Sequence, residues 1–312
     1  MTEHTLSAEP THSRWNRALL PRLDVDSGDV VHVECVDSSG SQVQPGTSVS
    51  EFLGIDRGKI HALTGPIAIH GAEPGDVLQI DILEVTHKGW GWSSTLEGLG
   101  FLKERFPEPS LFHWTLEKSE TRSLSPAVLP LRPFCGVMGV APAENGEFRT
   151  RQPGVFGGNI DVRELCAGAK LYLPVLNAGA LFSLGDGHAA QGDGEVCING
   201  IECPLDVSVR LTLHKNRPVA GPLLESSESR NASGWGDAWI VIESRSDALM
   251  AARDATSRMI DLLVSRWGFS ELHAYYLCSV AMNLRLSQVV NEPMVTVSAA
   301  ILKSILPDRS LF

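Results

Sequence analysis

The chain has 312 residues, of which 43% are hydrophobic and 20% charged, and this balance excludes a disordered or fibrous polypeptide. Twenty-six basic against 37 acidic side chains leave a formal net charge of −11, which argues against nonspecific nucleic-acid or anionic-lipid partners, since those need concentrated Lys and Arg. No apolar run reaches the ~18 residues of a membrane span, and MTEHTLSAEPTHSRWNRALL lacks a basic-then-apolar leader, so the expected location is cytoplasmic.

Residues 1–20 read as an N-terminal arm, 21–245 as a β-rich catalytic region, and 246–312 as a helical C-terminal region of the same unit. The expected class is α+β, β-rich, with a C-terminal helix pair packed on a sheet. DVVHVECV alternates, placing Val31, Val33 and Cys35 on one face and His32 and Glu34 on the other. After the Glu73-Pro74-Gly75-Asp76 turn, VLQIDILEV alternates again. The stretch from Gly89 to Pro109 reads as a long irregular segment whose Trp90, Trp92, Phe101 and Phe106 either pack a loop on the core or line an apolar pocket. LFHWTLEKS reads as a further strand. In AKLYLPV, Leu171, Leu173 and Val175 alternate with Tyr172 and Pro174, and the proline suits an edge or a strand end. DALMAARDATSRMIDLLVSRW repeats its apolar positions at three and four, capped by Ser246 and stopped at Gly268. A second helix, capped by Ser270, is predicted to run through ELHAYYLCSVAMNLRLSQ.

The stretch SLGDGHAAQGDGEV concentrates chemistry. It opens at a strand end, and extended geometry would put Asp186 and His188 on one side, with Asp193 and Glu195 following. An imidazole beside carboxylates is a donor set for Zn, Mn or Fe, leaning towards Ca or Mg where oxygen dominates. Asp161, in GGNIDV, is a possible further ligand. Glycines 185, 187, 192 and 194 would let backbone approach a bound molecule. The same letters also serve a loop in which the aspartates make Asx turns and His188 bonds its own segment. The six cysteines form no C-x-x-C pair, and Cys135 and Cys166 read as small buried hydrophobes rather than nucleophiles.

PGVFGGNIDVRELCAGAKLYLPV followed by GALFSLGDGHAAQGDGEVCINGIE resembles the central signature of the acetamidase/formamidase family. LTGPIAIHGAEPGDVLQIDILEV, PFCGVMGVAP and YYLCSVAMNLRLSQVVN extend the resemblance over roughly Pro21 to Leu306. It implies the β-rich fold of that family, hydrolysis of the C–N bond of a small formamide- or acetamide-like carboxamide, a divalent metal, most simply Zn, and a homodimer or higher homo-oligomer. The family positions fall on Asn159, Asp161, Asp186, His188, Gln191, Asp193, Glu195 and Glu202, and the Glu34/Asp37 pair also resembles it. Asp161, Asp186 and His188 are assigned to the metal with Glu195 fourth, Glu195, Glu202 and His188 to catalysis, and Asn159, Gln191 and His70 to substrate. Glu195 cannot be both a saturated ligand and the free base that takes a proton from water. The sequence departs from the family at Asn283, where a smaller, more acidic Gly-Asp step is expected, which puts the substrate in doubt. A related hydrolase of a cyclic or larger amide, and a non-catalytic binding protein on the same fold, stay open.

Overall fold

The alternating runs build two large sheets, beside three two-stranded ones among the described residues, and the two faces of the larger are buried by different partners. The computed structural model describes residues 1–227, 236–309 and 311. Nine strands form the larger sheet in the order Glu3–Leu6, Val30–Cys35, Leu205–His214, Val77–His87, Lys170–Pro174, Leu223–Glu225, Ala238–Arg245, Val295–Leu302 and Asn283–Gln288. Five strands form the smaller sheet, in the order Gly157–Asn159, Phe134–Gly139, Phe182–His188, Leu63–Ile69 and Leu23–Val25.

Side-chain alternation divides the core in two. Val31, Val33, Leu78, Ile80, Leu171 and Leu173 face the smaller sheet's Ile67, Phe134, Met138 and Phe182 in a sandwich. The alternate residues Val77, Tyr172, Trp239, Val241, Val297 and Ala299 pack on the C-terminal helices through Ala251, Ala255, Met259, Leu263, Ala274 and Cys278. The result is three layers: small sheet, large sheet, helix pair.

The helix signals hold with two changes. The Ala248–Trp267 helix is capped by Asp247, one residue beyond the expected Ser246, because the Asp247 side chain accepts from the amide of Met250. Gly268 closes it at φ 76°, a left-handed conformation that favours glycine. Ser270 caps the second helix as expected, but that helix ends at Ala281, and Asn283–Gln288 is a strand rather than its last turns. The alternation NLRLSQ lays this segment along Val295–Leu302, where the ladder outweighs a continued helix. Asn283 is exposed at the start of that strand, remote in sequence from the acidic stretch, and it lines no cavity described below.

One loop expectation changes, and the strand-end reading of Pro174 holds. Trp90–Thr95 pairs with Ser110–Thr115 as an antiparallel hairpin, so much of the supposedly irregular segment is strand. Lys170–Pro174 lies inside the large sheet, yet Pro174 pairs on one side alone, at the strand end, where its missing N–H leaves no ladder bond unmade. Among the described residues no helix is long and apolar enough to cross a membrane.

The sandwich core should therefore carry the stability. Leu171→Ala is expected to cost about 2–5 kcal/mol in equilibrium urea unfolding. Leu249→Ala, on an outward helix position 76% exposed, should stay within about 0.5 kcal/mol.

Candidate functional site

Five side chains that ordinarily seek water are gathered in one dry place. Asp161, Asp186, His188, Glu195 and Glu202 are all buried, His188 to 1% exposure. Burial of charge at this density is costly unless an opposite charge or a proton enters.

Each residue arrives on a different piece of the fold. Asp186 and His188 close the Phe182–His188 strand, which pairs with Phe134–Gly139 so that Gly136 lies across from Asp186. Asp161 follows the Gly157–Asn159 strand, and its amide donates to the Gly136 carbonyl at 3.2 Å. Glu202 is held between two strands: its amide and carbonyl both bond to Trp92, and it bridges to His188. Glu195 is carried by the glycine loop, which the C-terminal strand grips through Gly194 N–H to Ser287 O (3.0 Å) and Val289 N–H to Gly194 O (3.1 Å).

Asp161, Asp186 and Glu195 have φ of 47°, 55° and 50°, the left-handed region that non-glycine residues visit sparsely. Such backbone costs of order 1–3 kcal/mol per residue and persists where surrounding structure enforces it, often at functional sites. Three of the five clustered residues being so held is a mark of a site rather than of a loop built for convenience.

The hydrogen bonds orient the cluster and leave it open. His188 Nδ1 donates to Gln191 Oε1 at 2.8 Å, and Gln191 Nε2 donates in turn to the Asp161 carbonyl at 3.0 Å. This aims Nε2 inward, 2.8 Å from Glu202, 3.7 Å from Asp186 and 3.9 Å from Glu195. Asn291 Nδ2 donates to one oxygen of Asp161 at 2.6 Å, while the other has no partner. One oxygen each of Asp161, Asp186, Glu195, Glu202 and Asn159 is buried with nothing bonded to it. Buried acceptors left this way call for a ligand.

A divalent ion fits that description. Asp161, Asp186 and His188 present donor atoms within 4.8 Å of one another, and His188, Glu195 and Glu202 form a second such set. Both are hard-to-borderline oxygen and nitrogen donors. Gly136 makes the room: a Cβ there would stand 2.5 Å from Asp161 Oδ1, 2.9 Å from Asp186 Oδ2 and 3.0 Å from His188 Cε1.

Without an ion, protons must do the neutralising. Burial, only partly offset by His188, raises the Asp161 carboxyl to about 7, and burial raises Asp186 to about 6. Burial and the charge of Asp161 hold Glu195 well above the usual carboxylate range. Burial opposes protonation of His188, but Glu202 and Asp186 outweigh it and raise its pKa well above the ordinary value.

Above the cluster opens a cavity of about 510 Å³, onto which Asn159, Asp186, His188, Glu195 and Glu202 all face. All five are candidates read from the sequence, and three neighbours on the same lining, His61, Arg151 and Asn291, are not. His61 stands two residues before LTGP and Asn291 ends SQVVN, so both were within reach of the quoted motifs. Burial holds the His61 imidazole below its usual pKa.

Other expectations are corrected. His70 lies at a surface turn, bonded at 2.8 Å to Asp26 and 61% exposed at its side chain, away from this cavity. Gln191 sits behind His188 and does not line the cavity, so its contacts are with the imidazole and backbone. Asp193 turns outward to Arg163 and Arg285. Glu34 is exposed, and Asp37 is buried under bonds from Ser39, Ser41 and Trp92. Gly185 and Gly187 admit neighbouring backbone rather than a ligand: added Cβ atoms would meet Ala62 O at 2.7 Å and Cys203 O at 2.4 Å. Trp92 does line the cavity, whereas Phe101 and Phe106 are exposed. Cys135 and Cys166 are buried, and a hydrogen bond with Cys35 together with burial raises the Cys135 thiol well above its ordinary pKa.

Gly136→Ala should thus weaken retention of a divalent ion at least tenfold in equilibrium dialysis while keeping the far-UV circular dichroism of the parent. Unchanged affinity would place the ion elsewhere.

A model of the Acetamidase/Formamidase family matches residues 2–151 and 143–307. The formamidase of Methylophilus methylotrophus is 30% identical over 260 residues, covering 64% of this chain and 63% of that protein, so the chain spans just under two-thirds of that relative's length. The acetamidase of Mycolicibacterium smegmatis is 27% identical over 344 residues, covering 86% and 84%. A crystal structure of an acetamidase from Bacillus halodurans superposes with a TM-score of 0.89 at 31% identity, covering 96% of this chain and 98% of that one. The chain belongs to the acetamidase/formamidase family.

Proposed function

We propose that this chain hydrolyses the C–N bond of carboxamides, releasing ammonia and a carboxylate, with a divalent ion held by Asp161, Asp186 and His188. The observation that carries this is the set of orphaned, inward-facing oxygens around the space left by Gly136. The donor set suits Zn first and accepts Mn, Mg or Ca. When bound, the ion would supply Lewis-acid polarisation and lower the pKa of water. A homo-oligomer in the cytoplasm, with no nucleic-acid partner, belongs to the same proposal.

Glu195 is the base in this reading. Asp161, engaged by Asn291, and Asp186 go to the ion and Glu202 bonds Asp186, whereas among the described residues no side chain donates to Glu195. Once ionised, Glu195 takes a proton from the attacking water and passes it to the departing nitrogen. The water oxygen bonds to the carbonyl carbon as the C–N bond breaks. Asn159 presents its unpartnered Oδ1 towards the cavity, where it can accept from the substrate N–H₂ and orient it. Gln191 fixes the His188 ring, leaving Nε2 for the ion.

Ammonia release from formamide, acetamide and propionamide, with and without a chelator, tests the class. Metal-dependent release is expected, and no release by the metal-replete protein would contradict it. Glu195→Gln should lower kcat about 10²–10⁴-fold with the ion retained, and loss of the ion instead would make Glu195 a ligand.

The proton load predicts a pH effect on stability. Asp161 and Asp186 have folded pKa values of about 7 and about 6, above the ordinary 3.8, and His188 is also raised. The folded state then binds more protons than the unfolded one, so stability contributed here is present at low pH and lost as pH rises through about 6 to 7. Chelated protein should melt higher at pH 5.5 than at pH 8, and added divalent ion should raise Tm more at pH 8, as thermal melts would show.

A further inference from the structure

The cavity is far larger than a formamide or acetamide molecule requires. At about 510 Å³ it falls among pockets of about 300–1,000 Å³ that enclose drug-sized ligands. Its lining carries two features that the cleavage chemistry does not use.

The first is an apolar wall. Phe52 and Trp92 meet with ring centroids 5.5 Å apart, and Leu96 and Leu99 join them on the lining. The second is a set of three guanidinium groups, those of Arg57, Arg149 and Arg151. Arg57 lies 4.5 Å from the centre of the Phe52 ring and donates to the Phe52 carbonyl. Arg149 and Arg151 flank Thr150, whose hydroxyl bonds both the N–H and the C=O of His61 and so ties this stretch to the cavity. Arg151 is half-buried and gives one N–H to the Val290 carbonyl.

Among the described residues no carboxylate lies within 4.0 Å of any of the three, and the acidic charges that act on Arg151 from further off are those of Glu292 and Glu195. Among the described residues, the arginines with a carboxylate within 4.0 Å are Arg122, Arg163, Arg210, Arg245, Arg258 and Arg285. Outside the buried cluster, the one acidic side chain on the lining is Glu97, and it is exposed. Apart from the buried cluster, the lining thus carries three guanidinium groups and one carboxylate, in a chain whose net charge is −11. A guanidinium with N–H groups to spare is suited to a carboxylate, which it can bind through two parallel N–H donors.

We propose that the preferred substrate is a primary amide whose acyl group has an apolar body lying along Phe52 and Trp92 and a terminal carboxylate bound by Arg149 and Arg151. The inference rests on the amidase reading above and names its substrate class. The step balances as R–CONH₂ plus water giving R–COO⁻ and NH₄⁺, so the product is a dicarboxylate. The amide end reaches the buried cluster, and the carboxylate end stays at the arginines.

The test compares hexanamide with 6-amino-6-oxohexanoate, which has the same chain length and one added charge. The metal-replete full chain is expected to show at least tenfold higher kcat/KM for the charged amide, and Arg149→Ala/Arg151→Ala should bring the ratio near one through loss on the charged amide. Equal or lower kcat/KM for the charged amide in the parent, or equal losses on both amides in the variant, overturns the proposal while leaving amide hydrolysis intact. Calorimetric binding of hexanedioate against hexanoate reads the arginine site without turnover: tighter binding of hexanedioate, lost in the double variant, supports it, and indifference to the second carboxylate overturns it. No ammonia from either amide would instead count against the amidase reading itself.

Discussion

Four carboxylates and one imidazole buried together in a dry pocket set the terms for the rest of this molecule. Desolvation penalises each charge, and the carboxylates repel one another, so the cluster is tolerable when it holds protons or a cation. The upward displacement of Asp161, Asp186, Glu195 and His188 is the electrostatic expression of that demand. The orphaned oxygens are its geometric expression.

Holding such a cluster needs a stiff frame. The two sheets supply it, because their shared core is built from fully buried strand residues on both sides. The helix pair covers the other face of the large sheet, making that sheet an interior layer. The Asn283–Gln288 strand then links the layers to the chemistry: Gln288 accepts from the amides of Val290 and Asn291, and Asn291 reaches Asp161. Left-handed backbone at Asp161, Asp186 and Glu195 is strain that this frame can enforce.

Much of this was legible in the letters, and the reasons differ by residue. Strands with one apolar face, such as Val30–Cys35 and Val77–His87, announced themselves because period-two alternation reports burial directly. Asp186 and His188 were readable because the local spacing puts them at one strand end. Asp161 and Glu195 were only suggested by composition and spacing, and Glu202 needed the family resemblance, since tertiary structure alone brings the three near. Asn291 was hidden because Asn283–Gln288 reads equally as the end of an apolar helix, and mistaking its period removed the strand that delivers it. His70 reads as a pocket-mouth residue because it stands beside a Gly-containing turn, and His61 carries no local signal, since accessibility depends on packing that no local pattern encodes.

The central claim is that this cluster exchanges protons for a divalent ion. Calorimetric titration of chelated protein with Zn at pH 6.5, repeated in buffers of different ionisation enthalpy, measures ion stoichiometry and proton release together. The account predicts about one ion per chain with about one to two protons released, because the ion replaces the protons on the raised carboxyls and His188. Binding without proton release, or no binding, would contradict it.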